Sequence, residues 1–146
     1  MTTYLAGSIL SASMIFTGVA SAMQIPEYEK MAQVDKDEYR IALVEGAVKA
    51  LNDHGQPDQA QKLTAFFLDK SDNGGFIQLR KNLEVFKDMN KENAAKPDNN
   101  KEPIYEVEHA LALTLKNHGI SVPVSILLAI NKDFKPSQPA VAVPAK

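Results

Sequence analysis

Cysteine is absent from the 146 residues of this chain. Without cysteine the protein forms no disulfide, carries no lipid on a lipobox cysteine and has no thiol nucleophile. A strong excess of one charge is also missing, because 16 basic and 18 acidic residues leave a net charge of −2. No dense basic block occurs, so we expect no nucleic-acid partner.

Familiar catalytic and cofactor motifs are missing as well. The chain has no Gly-x-Ser-x-Gly elbow, no glycine-rich phosphate loop and no His-x₃-His pair. Acidic residues stand two apart at Asp35/Asp37 and at Glu106/Glu108, and we interpret both pairs as solvated first turns of helices. We therefore expect that the protein is not an enzyme and binds no cofactor.

The first 22 residues have the pattern of a signal peptide. Tyr4–Ala22 contains no charged side chain and ends in Ala20-Ser21-Ala22, the small-x-small pattern that signal peptidase cleaves. We predict cleavage after Ala22 and a periplasmic or secreted mature protein with no stable membrane span. Because no lysine or arginine precedes the apolar run, an uncleaved membrane anchor is the alternative.

Apolar residues recur at helical spacing through the middle of the chain, which predicts an all-α fold. We predict a small bundle of about five helices within 35–134. Two αα-hairpins, 41–70 and 104–134, are expected to be bridged by a helix over 76–90.

Three segments around these helices carry weaker patterns. Residues 23–34 are interpreted as a lead-in that contains one short helix. The charged connection 90–103 has no apolar period and is predicted to be mobile. The tail 135–146 contains three prolines and is predicted to be disordered.

The segment Val122–Ile130 is apolar except at Ser125, which predicts a buried central helix with Leu127 near its middle. Ser121 suits the N-cap of that helix. A second expected inner face consists of four residues of the preceding hairpin, Ile41, Val44, Val48 and Leu51.

His-Gly occurs twice, at His54-Gly55 and His118-Gly119, 64 residues apart. Glycine suits the left-handed position after a helix, and histidine can bond the last carbonyls of that helix. The two copies indicate either a duplicated hairpin or two independent helix ends of the same type.

The loop Asp69-x-Ser71-x-Asn73-Gly74 resembles the opening of an EF-hand calcium loop, with oxygen ligands at its first, third and fifth positions. The resemblance implies that Asp69, Ser71 and Asn73 bind Ca²⁺. It breaks down at the twelfth position, where Arg80 stands in place of the bidentate acid. An ordinary polar turn is the alternative interpretation.

These patterns favour an exported, non-enzymatic protein that binds another protein through a helix face or a groove between hairpins. A degenerate calcium-binding module at 69–80 is the first alternative. The second is a small-ligand carrier with an apolar cavity among four phenylalanines, Phe66, Phe67, Phe76 and Phe86. Oligomeric state is open at this point.

Overall fold

The structure is a computed structural model, and it describes residues 23–137. The predicted signal peptide and residues 138–146 of the predicted tail lie outside this range. Over the described range the chain forms six α-helices, a short 3₁₀ turn and no strand. The helices are α1 (Ile25–Lys30), α2 (Gln33–Asp53), α3 (Pro57–Leu68), α4 (Gly75–Ala94), α5 (Val107–Asn117) and α6 (Val124–Ile130). The prediction of a small all-α bundle is confirmed.

The helices are arranged as two hairpins with α4 between them. In one hairpin α2 packs against α3, and in the other α5 packs against α6. The helix α4 packs mainly along α5, while α6 crosses onto α2 and so joins the two hairpins. Within residues 23–137, none of these helices is both long enough and apolar enough to cross a bilayer.

The two His-Gly sequences end α2 and α5 with the same geometry. Gly55 has φ +73° and Gly119 has φ +79°, the left-handed conformation that glycine adopts at low cost. The copies differ in the length of the next connection, because α3 begins two residues after Gly55 whereas α6 begins five residues after Gly119. The prediction of Ser121 as an N-cap is wrong, since Pro123 occupies that position.

The centre of the core lies between α2 and α5. Tyr39 and Leu43 of α2 and Leu111 and Leu115 of α5 are almost completely buried. The prediction of α6 as the buried central helix is wrong, because Leu127 is its only wholly buried residue. The helix lies on the core with one face, and its other apolar residues are half-buried or exposed.

The surface includes Ile41, a predicted inner residue, and Ile104, the predicted first residue of the second hairpin. The buried face of α2 repeats every four residues through Tyr39, Leu43 and Ala47, which places Ile41 on the opposite side. The Ile41 side chain is consequently 47% exposed. Ile104 is also exposed, because α5 begins three residues later than its apolar period indicated.

The connection between α4 and α5 is bonded to two asparagines of α4, and residues 90–94 of the predicted mobile segment belong to that helix. Asn90 donates to the Tyr105 carbonyl and accepts from the Tyr105 N–H, both at 2.9 Å. Asn93 pairs with Glu102 in the same way, at 2.6 and 2.7 Å. Each side-chain amide thus satisfies one backbone N–H and one backbone C=O.

The start of the predicted disordered tail is also held to the domain. The backbone N–H and the hydroxyl of Ser137 both donate to Asp35 Oδ1, at 2.8 and 2.7 Å. Asp35 is completely buried near the start of α2. A buried carboxylate needs hydrogen-bond donors, and Ser137 supplies two of them.

Candidate functional site

An apolar groove opens on the outer side of the first hairpin, and we call it the α2/α3 groove. It has a volume of about 560 Å³. The helices α2 and α3 contribute most of its lining, and Phe76 of α4 also lines it. Its apolar lining consists of Ile41, Val44, Val48, Phe67, Leu68 and Phe76.

The groove is apolar surface that the fold leaves in contact with solvent. Leu68, the last residue of α3, is 69% exposed, and Ile41 faces it from α2 with 47% exposed. A second hollow of about 410 Å³ shares Val48 and Leu68 with the groove and continues to Asn52. Apolar surface therefore runs along most of the hairpin, and contiguous patches of this kind usually mark binding surfaces.

Two side chains of opposite charge line the rim of the groove. Glu45 lies on the α2 side, and Lys70 lies just beyond the end of α3. Neither takes part in an ion pair or a side-chain hydrogen bond with another residue of 23–137. The rim thus offers one anion and one cation to whatever covers the groove.

A second, more polar cleft of about 320 Å³ lies among α1, α2 and α4. Lys36, Arg40 and Arg80 line it together with two glutamates. Arg40 donates to Asp37 and to the Tyr28 hydroxyl, so two of its nitrogens are already occupied. Because the cleft contains acids beside its cations and Arg40 is already paired, we assign no ligand to it.

The four phenylalanines of the carrier hypothesis do not surround one cavity. Phe67 contacts Phe66 and Phe76, with ring centroids 5.2 and 4.8 Å away. Phe86 instead stacks on Tyr105 at the other hairpin, with a centroid separation of 4.4 Å. The expected shared cavity is therefore wrong, and the Phe67 and Phe76 rings form part of the α2/α3 groove.

The loop that resembles an EF-hand is a tight turn between α3 and α4. Asp69 Oδ1 accepts from the Ser71 N–H at 2.8 Å, and Ser71 Oγ accepts from the Asn73 N–H at 3.2 Å. The Asp69 and Ser71 oxygens are thus used within the turn, an arrangement typical of Asx and Ser/Thr turns. Among residues 23–137 no cluster of three or more His, Asp or Glu side chains has the spacing of a metal site.

We expect millimolar Ca²⁺ to leave the melting temperature unchanged. The loop has Arg80 where a calcium loop places its bidentate acid, and its first two candidate ligands are already hydrogen-bonded. Thermal unfolding with Ca²⁺, and again with an excess of chelator, measures this. A rise of several degrees that the chelator reverses would show that the native state binds the ion and would contradict this prediction, because only a ligand of the native state stabilises it.

Both acidic pairs depart from the expected solvated turns. Asp35 and Glu108 are 0% and 1% exposed, so one member of each pair is buried. Glu108 precedes Leu111 by three residues and Leu115 by seven, which places it on the buried face of α5. The spacing of Glu108 from these leucines therefore indicated burial, and the interpretation as a solvated turn did not take it into account.

Comparison with models of known protein families, with curated proteins and with solved structures finds no match for this chain. Its function must therefore be inferred from its own surfaces.

Proposed function

We propose that this chain is an exported, non-enzymatic protein that binds the amphipathic helix of a partner protein in its α2/α3 groove. The observation that carries the proposal is the continuous apolar groove flanked by the exposed side chains of Ile41 and Leu68. Covering this surface removes apolar area from water, which is the main driving force of protein association.

The dimensions of the groove favour a helix of about three turns. The wall that α2 contributes runs from Ile41 to Asn52, a distance of about 17 Å at the rise of an α-helix. A helix that lies in such a groove presents apolar residues at positions i, i+3 or i+4, and i+7. The unpaired Glu45 and Lys70 favour a partner with a basic and an acidic residue beside that apolar stripe.

Export is proposed from the sequence together with the position of Met23. The uncharged run that ends in Ala20-Ser21-Ala22 supports cleavage after Ala22. Met23, the next residue, is bonded to the domain through its own backbone, since its carbonyl accepts from the Val107 N–H at 3.0 Å. Cleavage at this bond would keep every helix of the domain. N-terminal sequencing of protein from its natural source tests this, and a first residue before Met23 would contradict it.

Site-specific photo-crosslinking tests the groove. A photoreactive residue placed at Ile41 or at Leu68 is expected to capture the same partner from cells that export the protein. Mass spectrometry of the adducts is expected to place both crosslinks on one amphipathic helix of that partner. The matched control is the same residue at Val85, which is 50% exposed on α4 and does not line the groove.

The variant Leu68→Glu supplies a second test. Because Leu68 is largely exposed, the substitution is expected to change stability by no more than about 0.5 kcal/mol. It is expected to abolish the crosslink from Ile41, whereas Val85→Glu leaves that crosslink intact. Capture of the same proteins from Val85 as from the groove would contradict the proposal. Capture of a second copy of this chain would identify the groove as a dimer interface instead.

A further inference from the structure

Glu108 is a buried carboxylate that two donors hold at the first turn of α5. Its side chain is 1% exposed. The Tyr39 hydroxyl donates to Oε2, and the backbone nitrogen of Met23 donates to Oε1 at 3.1 Å. Burial raises the pKa of Glu108, because its charged form loses hydration there. Its ionised form therefore needs a nearby positive charge.

No side chain of the described range supplies that charge. Within residues 23–137 none of the ion pairs includes Glu108 or Glu27, an acid whose charge acts on Glu106. Glu106 stands close enough for burial and the charges of these two acids to raise its pKa to about 7. His109 accepts from the Glu106 N–H through Nδ1, and burial lowers the pKa of its ring, so it is no permanent cation.

The atom that reaches Glu108 belongs to the residue directly after the predicted cleavage site. Met23 is an ordinary amide in the uncut chain, and cleavage of the Ala22–Met23 bond converts its nitrogen into a protonated α-amine. We propose that this new α-amine forms an ion pair with the buried carboxylate of Glu108, so that signal-peptide removal completes the native fold. The proposal rests on the cleavage proposed above, and water hydrolyses the peptide bond in the usual way.

The pair needs only a change of charge at an existing contact. The Met23 carbonyl is fixed by the Val107 N–H, and Gln24 pairs with Glu106 in an isolated antiparallel bridge. The nitrogen is therefore already positioned before cleavage. A charged donor forms a shorter and stronger hydrogen bond to a carboxylate than a neutral amide does.

The pH dependence has a definite sign. An amine beside carboxylates has its folded-state pKa raised above its unfolded value of about 7.7. The protonated amine contributes its full stabilisation at pH values below the unfolded-state pKa. That stabilisation is lost as the pH rises through the folded-state pKa. At acidic pH Glu106 and Glu108 are protonated and uncharged, so the positive amine adds little stability to the folded state. The stabilisation by a free amine is therefore greatest near neutral pH.

Two chains that differ only in the charge at Met23 test the proposal. Codon 23 encodes methionine, so translation can begin there directly and give a free α-amine. Co-expression with an N-terminal acetyltransferase gives the matched chain, which keeps the N–H donor but has no charge. Mass spectrometry verifies each N-terminus before urea unfolding is measured from acidic to alkaline pH.

At pH 7 the unfolding constant of the acetylated chain is expected to be larger by about tenfold or more, because the buried carboxylate loses its cation. The ratio of the two unfolding constants, acetylated over free, is expected to fall toward one at acidic and at strongly alkaline pH. The variant Glu108→Gln keeps the size of the side chain without its charge. In this variant the unfolding constants of the free and acetylated chains are expected to agree within about twofold at every pH.

Equal stability of the two wild-type chains at pH 7 overturns the pairing. A difference that persists in Glu108→Gln overturns the assignment to Glu108. If the natural protein begins at a residue other than Met23, the proposed cleavage site is wrong. The link between cleavage and the ion pair is then wrong too, whatever the stabilities of the two chains. None of these outcomes depends on the crosslinks that test the α2/α3 groove, so the two proposals can fail separately.

Discussion

Replacing Leu127 by alanine is expected to lower the free energy of unfolding by about 2–5 kcal/mol. Leu127 is completely buried, and it is the one residue of α6 with no exposed surface. Its truncation loses the transfer free energy of the removed carbons and leaves a cavity between α6 and the helices beneath it, α2 and α5. A domain of this size has about 5–15 kcal/mol of total stability, so the loss is a large share.

Urea unfolding of Leu127→Ala measures this effect, and Leu68→Ala is its control. The two substitutions remove the same atoms, but Leu68 is 69% exposed and is expected to change stability by about 0.5 kcal/mol or less. If both variants unfolded at the same urea concentration as wild type, α6 would contribute nothing to the core. Its apolar residues would then belong to a surface.

Replacing Tyr39 by alanine is expected to be at least as destabilising, at about 3–5 kcal/mol for a buried aromatic ring. Tyr39 is 1% exposed, and its ring makes edge contacts with Tyr28 of α1 and with Phe134 after α6. Its hydroxyl also donates to Glu108 of α5. One side chain of α2 thus connects three other parts of the fold.

The variant Tyr39→Phe separates the two contributions. It keeps the ring contacts and removes the donor to a buried carboxylate, which is expected to cost about 1.5–3 kcal/mol. Thermal and urea unfolding of both variants give the comparison. If Tyr39→Phe were as destabilising as Tyr39→Ala, the ring would add no stability. If Tyr39→Ala were within about 1 kcal/mol of wild type, this position would not connect the helices.

Most of the helices and two of their ends could be predicted because their signals are local. Apolar residues at helical spacing locate α2, α3, α4 and α5, and a glycine after a histidine marks two of the helix ends. Which side of a helix is buried depends on its neighbours. Ile41 and Leu43 are both apolar residues of α2, yet only Leu43 is buried in the core, so periodicity alone could not assign them.

The candidate sites depend on contacts between distant residues. Met23 and Glu108 are 85 residues apart, and no local pattern joins them. The α2/α3 groove exists only because α3 lies beside α2 and Phe76 of α4 joins their lining. The burial of Glu108 is different, since its spacing from Leu111 placed it on the apolar face of α5. In that case the helical spacing indicated a buried position, but Glu108 was assumed to be exposed because it is charged.

The pairing of Asn90 and Asn93 with the connection after α4 has a consequence for resistance to proteolysis. Most residues of that connection are exposed, and Lys101 offers a peptide bond that trypsin-like proteases recognise. A protease must draw several residues into its cleft as an extended, unpaired strand. Here the backbones of Glu102 and Tyr105 are already bonded to asparagine side chains. Cleavage after Lys101 must therefore first break the two hydrogen bonds between Asn93 and Glu102, which hinders proteolysis of a chain that has no disulfide to protect it.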